Sequence, residues 1–363
     1  MESDERFMRQ ALALAARGAG RTSPNPMVGA VVVADGAVIG TGFHHAAGSA
    51  HAEVHAFAQA GGRARGATLY VTLEPCVHHG RTPPCTDAVV ASGVGRVVVA
   101  TGDPDPRVNG RGLDALRAAG IAVAAGILAR EAEVLNEGYL TRVRQGRPFV
   151  TLKLALTLDG RVAVPGRRYL VDRPALRFVH RLRARCDAVM VGVGTVSADD
   201  PELTVREVRG HDPLRVILDT DARIPIASKV VRRRDPERTI VVVSDDADRT
   251  RVAALSATGV EVVRVPRAED GHVDAAAALG HLAGRGVNSV LSEGGPRLGT
   301  ALLAQGLVDR LLLILAPLVG GSGPRAFGDL DPLRLGELAV RRLGRDLAIS
   351  VDLGPAGDPG LAG

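Results

Sequence analysis

The residues of this chain best suited to chemistry lie early. His51-Ala52-Glu53 is followed by Pro75-Cys76 and then by Cys85. One imidazole and two thiolates form a three-ligand set for zinc, with a fourth position left for water. A metal in such a site lowers the pKa of that water to about 7, so hydroxide is available at neutral pH. Glu53 stands two residues past His51, where it can sit beside the metal without ligating it. From there it can take the water proton and pass it to a leaving amine. The bland alternative is two buried free cysteines and an unrelated surface histidine, and the order His-x-Glu, Pro-Cys, Cys argues against it. His78 and His79 lie between the cysteines and could compete as ligands. They are read as walls of a substrate pocket.

Three segments in the second half stand out on different grounds. The first is Lys153-Leu154-Ala155-Leu156-Thr157-Leu158-Asp159-Gly160, where an apolar strand carrying one lysine runs into a polar turn. A lone lysine in such a strand either snorkels outward or faces a site. The second is Val191-Gly192-Val193-Gly194-Thr195-Val196, followed by Ala198-Asp199-Asp200-Pro201. The third is Ser292-Glu293-Gly294-Gly295-Pro296-Arg297-Leu298-Gly299-Thr300. There a strand ends in glycines and a helix begins, so backbone N–H groups can cradle a phosphate. A turn of this kind is also ordinary in α/β proteins. No G-x-G-x-x-G turn opens a helix early in this half.

The elements that must position these residues alternate. Phe7 to Ala19 has helical spacing, and Val28 to Val33 with Ala37 to Gly40 reads as a hairpin around Asp35-Gly36. A helix over His51 to Ala60, a strand over Thr68 to Leu73, a short helix over Asp87 to Ala91 and a strand over Val97 to Thr101 follow. A helix over Gly112 to Ala119 and a strand over Ile121 to Ala124 come next, then one long helix over Glu131 to Arg144. Gly146 and Pro148 stop that helix and mark a boundary. Strands are then expected at Val150 to Leu156, Ala188 to Val193, Leu214 to Leu218, Thr239 to Val243, Val260 to Val265, Ser289 to Ser292 and Arg310 to Leu315. The pattern is that of two α/β layered domains, 1–145 and 146–363. The Gly/Pro-rich tail from Gly354 is expected to fray.

Composition narrows the function. With 363 residues, 46% hydrophobic and 23% charged, the chain is globular and can bury a sizeable core. Its net charge of +5 suits phosphorylated ligands without demanding them. Six Phe, three Tyr and no Trp leave no stacking platform for nucleic acid. Three cysteines argue against a disulfide-stapled secreted protein. The charged opening, Met1-Glu2-Ser3-Asp4-Glu5-Arg6, lacks the apolar core of a signal peptide, and no apolar run is long enough to span a bilayer. A cytoplasmic protein that contacts neither membrane nor nucleic acid is expected.

The His-x-Glu and Pro-Cys pairing resembles the zinc deaminases, whose signature ends Pro-Cys-x-x-Cys. Here the insert between the cysteines is longer, Val77-His78-His79-Gly80-Arg81-Thr82-Pro83-Pro84. Both cysteines can still lie near helix N-termini, whose dipoles favour thiolates. The runs Pro24-Asn25-Pro26-Met27-Val28-Gly29, His51-Ala52-Glu53-Val54-His55-Ala56, Thr72-Leu73-Glu74-Pro75-Cys76 through Cys85, and Thr101-Gly102-Asp103-Pro104-Asp105-Pro106 resemble the bifunctional riboflavin-biosynthesis deaminase/reductases. The three segments of the second half, in their order, resemble the reductase half of that family. The resemblance implies a cytidine-deaminase-like α/β/α domain followed by a dihydrofolate-reductase-like α/β domain.

It implies a deaminase acting on a diaminopyrimidinone that carries a ribosylamino 5′-phosphate, with His51, Cys76 and Cys85 as zinc ligands and Glu53 as proton shuttle. Asn25, His44 and Arg81 match substrate positions; Asn25 suits the pyrimidine edge and Arg81 the phosphate. It further implies NADPH-dependent reduction of the ribosyl group to ribityl, with Lys153 polarising the imine-like carbon. Ala155, Thr195, Asp199, Thr220 and the turn Gly295, Pro296, Arg297, Leu298, Gly299, Thr300 and Ala301 match cofactor positions. Arg183, Leu203, Arg206 and Glu293 match substrate positions, with the two arginines suited to phosphate and Glu293 to sugar hydroxyls. The family also implies a homo-oligomer.

One stretch departs from the family. Where a Gly-x-Ser-x-Trp-Ile-Thr stretch is usual, this chain reads Pro165-Gly166-Arg167-Arg168-Tyr169-Leu170-Val171-Asp172, one residue shorter. Tyr169 stands for the Trp that packs on the cofactor and keeps an aromatic face. Arg167 stands for the Ser that touches substrate, and it either binds phosphate or obstructs the site. Two alternatives follow: a deaminase joined to an altered or inactive reductase domain, and, more distantly, a deaminase acting on nucleic acid.

Overall fold

The computed structural model describes residues 2–79, 83–167 and 169–354. Its contacts gather into two compact units, Met1–Gly146 and Arg147–Gly363.

The first unit runs α1 (Glu2–Ala15), β1 (Gly29–Ala34), β2 (Ala37–Phe43), α2 (Ala52–Ala60), β3 (Thr68–Leu73), α3 (Cys85–Ser92), β4 (Arg96–Thr101), α4 (Arg111–Ala118), β5 (Ala122–Ala125), α5 (Ala129–Leu135) and α6 (Glu137–Gln145). Its five strands form one sheet in the order β2-β1-β3-β4-β5, antiparallel as far as β3 and parallel beyond. The central strands β1, β3 and β4 are buried on both faces. Val32, Leu69, Val71, Val97 and Val99 pack towards α2 to α4, while Val31, Tyr70 and Val98 pack towards α1 and α5. Near-continuous burial along β1, β3 and β4 explains why these strands read as apolar runs rather than as alternations.

Two glycines of β2 decide where the site helix lies. A Cβ on Gly42 would sit 2.1 Å from the Ala52 carbonyl oxygen, and one on Gly40 would sit 2.2 Å from that of Ala56. Only glycine lets α2 settle this close to the strand, and α2 carries His51 at its N-cap and Glu53 in its first turn.

The second unit runs β6 (Phe149–Leu156), α7 (Arg173–Arg183), β7 (Ala188–Gly192), α8 (Val193–Asp199), β8 (Leu214–Leu218), β9 (Thr239–Ser244), α9 (Arg249–Ser256), β10 (Glu261–Val265), α10 (Ala275–Gly284), β11 (Ser289–Ser292), α11 (Pro296–Ala304), β12 (Arg310–Leu315), β13 (Ala339–Leu343) and β14 (Asp346–Asp352). Nine strands form its sheet in the order β10-β9-β8-β7-β11-β6-β12-β14-β13. From β10 to β12 every pairing is parallel, and the last two are antiparallel.

Two expectations change. The single helix over Glu131 to Arg144 is broken into α5 and α6 at Asn136, whose side chain is turned to another task described below. The hairpin β13–β14 has no counterpart in the sequence reading, because β13 is charged and exposed on four of its five residues. Its turn, Gly344-Arg345, begins with Gly344 at φ +70°, the position a type II′ turn gives to glycine. The apolar run Leu311 to Val319 contributes β12, which lies between β6 and β14 inside the sheet. The tail beyond Gly354 lies outside the described residues.

Candidate metal centre and cofactor cleft

His51 enters the first site at the N-cap of α2, Cys85 as the first residue of α3, and Cys76 from the segment that leaves β3. His51 Nδ1 lies 2.7 Å from Cys85 Sγ and 3.8 Å from Cys76 Sγ. All three ligand atoms fall within 4.8 Å of one another. Tetrahedral zinc, with bonds of about 2.0 Å to nitrogen and 2.3 Å to sulfur, separates its ligand atoms by roughly 3.5 to 3.8 Å. The cluster therefore has the right atoms at the right scale. His78 and His79 are not part of it among the described residues. Cys76 is no helix residue, yet it is bound to the start of α3: its carbonyl accepts from the Thr86 N–H at 3.2 Å, and its sulfur accepts from the Cys85 N–H at 3.4 Å. Hydrogen bonds from Cys85 and His51 hold the Cys76 thiol well below its usual range, so it is the readier thiolate.

Glu53 is 2% exposed, and its Oε2 has no hydrogen-bond partner among the described residues. Burial pushes its carboxyl up from the ordinary value. An unpaired carboxylate oxygen beside a His/Cys/Cys cluster fits a water held by a metal and is otherwise costly.

Asn25 and His44 are brought to the same place. Asn25 Nδ2 lies 3.0 Å from His44 Nε2, and His44 Nδ1 lies 3.2 Å from the Ala50 carbonyl oxygen. Burial lowers the His44 pKa, which favours a neutral ring donating to Ala50 and accepting from Asn25. His44 stands edge-on to His51, with ring centroids 5.5 Å apart. Asn136, which the sequence reading did not single out, holds the loop carrying Asn25. Its side chain accepts from the Met27 N–H at 2.8 Å and donates to the Met27 carbonyl at 2.9 Å. Arg81 lies outside the described residues.

The second site is a cavity of about 1160 Å³ at the carboxyl ends of the parallel strands, where open α/β sheets bind ligands. Lys153, Ala155, Tyr169, Thr195, Asp199, Thr220, Arg183, Leu203, Arg206 and Glu293 all line it, as do Gly295 to Leu298 and Ala301. Arg167, Gly299 and Thr300 do not. Gly299 faces inward onto Leu152, which a Cβ would meet at 3.4 Å, and Thr300 Oγ1 accepts from the Gly328 N–H at 2.9 Å. The helical turn that offers Gly295 to the cavity turns these two residues away from it.

Three charged groups of this cavity, Lys153, Arg183 and Glu293, are gathered together. Arg183 holds Glu293 through two bonds of 2.6 and 3.0 Å and donates a third to the Thr204 carbonyl at 3.0 Å. Lys153 Nζ lies 3.7 Å from the same carboxylate. Lys153 thus faces the cavity rather than snorkelling outward. Arg183, expected to suit phosphate, lines the cavity with three of its N–H donors engaged by Glu293 and Thr204. Burial pushes the Glu293 carboxyl up, but Arg183 and Lys153 outweigh burial and hold it at about 2. His180, also overlooked in the sequence, accepts the Arg206 N–H at Nδ1 and is held near 4 by burial and the neighbouring arginines. It is a neutral wall of the cavity, three residues before Arg183 on α7, and that spacing was the signal available. Arg223, Lys229 and His272 also line the cavity.

A cytidine-deaminase-type zinc domain followed by a dihydrofolate-reductase-like domain defines a two-site enzyme. Family models agree: the cytidine and deoxycytidylate deaminase zinc-binding region matches residues 1–101, and the RibD C-terminal domain matches residues 148–349. The riboflavin biosynthesis protein RibD of Aquifex aeolicus is 42% identical over 96% of this chain and 98% of its own length. That of Escherichia coli is 42% identical over 91% of this chain and 92% of its own. Among solved structures, Acinetobacter baumannii RibD is similar with a TM-score of 0.88 at 39% identity, covering 97% of this chain and 99% of that one. A Thermotoga maritima structure, described as a diaminohydroxyphosphoribosylaminopyrimidine deaminase/5-amino-6-(5-phosphoribosylamino)uracil reductase, gives 0.84 at 37%, with the same coverage. The chain belongs to the RibD family, the bifunctional deaminase/reductases of riboflavin biosynthesis.

Proposed function

We propose that the two steps are divided between the domains 1–145 and 146–363, the first deaminating 2,5-diamino-6-(5-phosphoribosylamino)pyrimidin-4-one and the second reducing its ribosyl group to ribityl. The observation that carries the reading is the His51, Cys76 and Cys85 cluster beside the unpaired Oε2 of Glu53. The cofactors are zinc and NADPH. Zinc supplies a water acidified to a pKa of about 7, and NADPH supplies hydride. His51 Nδ1 and the two cysteine sulfurs hold the metal. Glu53 takes a proton at Oε2 and delivers it to the departing amine. Burial raises its affinity for that proton, which suits a shuttle working near neutral pH. Asn25, oriented by His44, pairs with the pyrimidine edge, and Arg81 takes the phosphate.

In the second domain, Lys153 is the cation beside the carbon that receives hydride. Glu293 orients Lys153 and accepts from sugar hydroxyls, while Arg183 keeps Glu293 ionised. Arg206, whose guanidinium donates to Thr204 Oγ1 at 3.0 Å and is half-exposed, is the better phosphate ligand of the two arginines. The glycine turn at the start of α11, with Thr195, Asp199 and Thr220, forms the cofactor side, and Tyr169 covers it. Arg167 lies outside the cavity lining and so leaves the reductase unobstructed.

A cytoplasmic homo-oligomer without nucleic-acid contacts completes the reading. Among the described residues no helix is long and apolar enough to cross a membrane. The decisive experiment gives the zinc-loaded protein the diaminopyrimidinone phosphate with NADPH and weighs the product by mass spectrometry. A product both deaminated and reduced is expected. Deamination alone would mean the second domain has changed substrate, and no change despite bound zinc would remove the substrate assignment.

A further inference from the structure

Glu74 stands two residues before the ligand Cys76 and is 4% exposed. Among the described residues its carboxylate bonds neither a metal ligand nor a cation. Instead it accepts four backbone N–H groups from a distant stretch of chain. Oε2 takes those of Asp103 at 3.3 Å and Gly110 at 3.0 Å; Oε1 takes those of Gly112 at 2.8 Å and Leu113 at 3.3 Å. Gly110 is the N-cap of α4, and Gly112 and Leu113 belong to its first turn. The carboxylate therefore caps α4 from another part of the fold, where unpaired N–H groups and the helix dipole both favour a negative charge. Hydrogen bonds to an ionised acceptor are the strong ones.

The contact is close by design of the chain. A Cβ on Gly112 would sit 2.2 Å from the Pro75 carbonyl oxygen and 3.0 Å from the Glu74 side chain. Glycine at this position lets α4 press directly on the residue that joins Glu74 to Cys76. Pro75 has a fixed φ and transmits the placement of Glu74 with little slack. On the other side, the Thr86 N–H and hydroxyl both reach the Cys76 carbonyl, at 3.2 and 3.3 Å. Cys76 is the ligand without a helix of its own, so its aim depends on these two anchors.

We infer that Glu74 is a positioning residue for the metal: by tying the Glu74-Pro75-Cys76 segment to the start of α4, it holds the Cys76 sulfur at its place in the ligand set. The inference rests on the zinc reading above. Outer contacts of this kind tune metal affinity by about ten- to a hundredfold.

The test uses the full chain and its Glu74→Gln and Glu74→Asp variants. Gln keeps the shape but turns one acceptor into a donor that faces N–H groups. Zinc affinity is measured by chelator competition, the ligand field by the visible spectrum of the cobalt-loaded protein, and stability by the melting profile. NADPH-dependent reduction serves as the control on the second unit. The expected result is zinc binding weakened about tenfold or more in Glu74→Gln, with a shifted cobalt–thiolate spectrum, unchanged reduction, and partial recovery in Glu74→Asp. A Glu74→Gln protein that melts earlier yet binds zinc as tightly as wild type, with an unchanged cobalt spectrum, assigns Glu74 to stability alone and overturns the inference. Wild type that takes up no zinc overturns the metal reading itself, and the inference with it.

Discussion

The two sites of this chain are built in opposite ways. The metal centre takes its ligand atoms from one stretch, His51 to Cys85, and each ligand acts on a common point. The cofactor cleft draws Lys153, Arg183 and Glu293 from a far longer span of the chain, and there the charged groups act first on one another. A metal site demands a few residue types within a short radius, so residue identity alone nearly specifies it. In a cleft, identity does not say which partner a charge has. Arg183 suits a phosphate by type, and only the fold shows that it also clamps a carboxylate.

Cysteine removal separates the two sites most sharply. Cys85→Ser is expected to deplete zinc and abolish deamination while reduction stays within about twofold, since the two sites belong to different compact units and share no residue. Metal analysis with the two product assays decides it, and unchanged zinc would bring His78 or His79 forward as ligand. Glu53→Gln is expected to cost about 10²- to 10⁴-fold in deamination with zinc retained, the usual worth of a positioned acid–base. Loss of metal on this change would make Glu53 a ligand instead.

On the cleft side, Arg183→Ala leaves Glu293 with Lys153 alone and should destabilise the second unit by about 3–5 kcal/mol, as breaking a buried pair does. Denaturant melts followed by NADPH-dependent reduction measure it; a loss under about 1 kcal/mol would return Arg183 to the role of a substrate ligand. The same triad sets an acid limit. Because the Glu293 carboxyl is held at about 2, its contribution to stability is complete above the ordinary carboxylate value and is lost as pH falls through about 2. Glu293→Gln should flatten that part of the stability profile, and a profile unchanged by the substitution would place the acid sensitivity elsewhere. The smallest effect belongs to the departing stretch: Arg167→Ser should change reduction by less than about twofold, a surface-scale effect, because Arg167 does not line the cavity. A large gain would show that Arg167 obstructs the site after all.

Much of this was legible in the residues. The parallel strands β4, β7, β8 and β9 announce themselves as apolar, largely β-branched runs, because strands buried on two faces need no alternation. The ligand set was legible for the reason given above. The misses have physical causes. Asn136 breaks a helix whose spacing continues through it, because its side chain is needed by a backbone far away in sequence. Gly299 and Thr300 lie on the face of their turn that does not line the cavity, a distinction that helix phase sets and a motif does not. β13 carries no apolar signal because it is an exposed edge strand.

The Asn136 clamp also bears on the order in which the site can be completed, since it joins Met27 to a residue near the end of the first unit. The ligands His51, Cys76 and Cys85 leave the ribosome before Asn136 does, so a growing chain can gather zinc while the Asn25 loop is still untethered. Contacts between distant residues form late, and this one waits on the end of the first unit. Nascent chains arrested with Asn136 still inside the ribosome, or extended until it has emerged, would separate the two events, with metal uptake expected in both and binding of a pyrimidine ligand only in the longer. Metal capture would then precede substrate competence during synthesis, and the nascent enzyme would hold its zinc before it can use it.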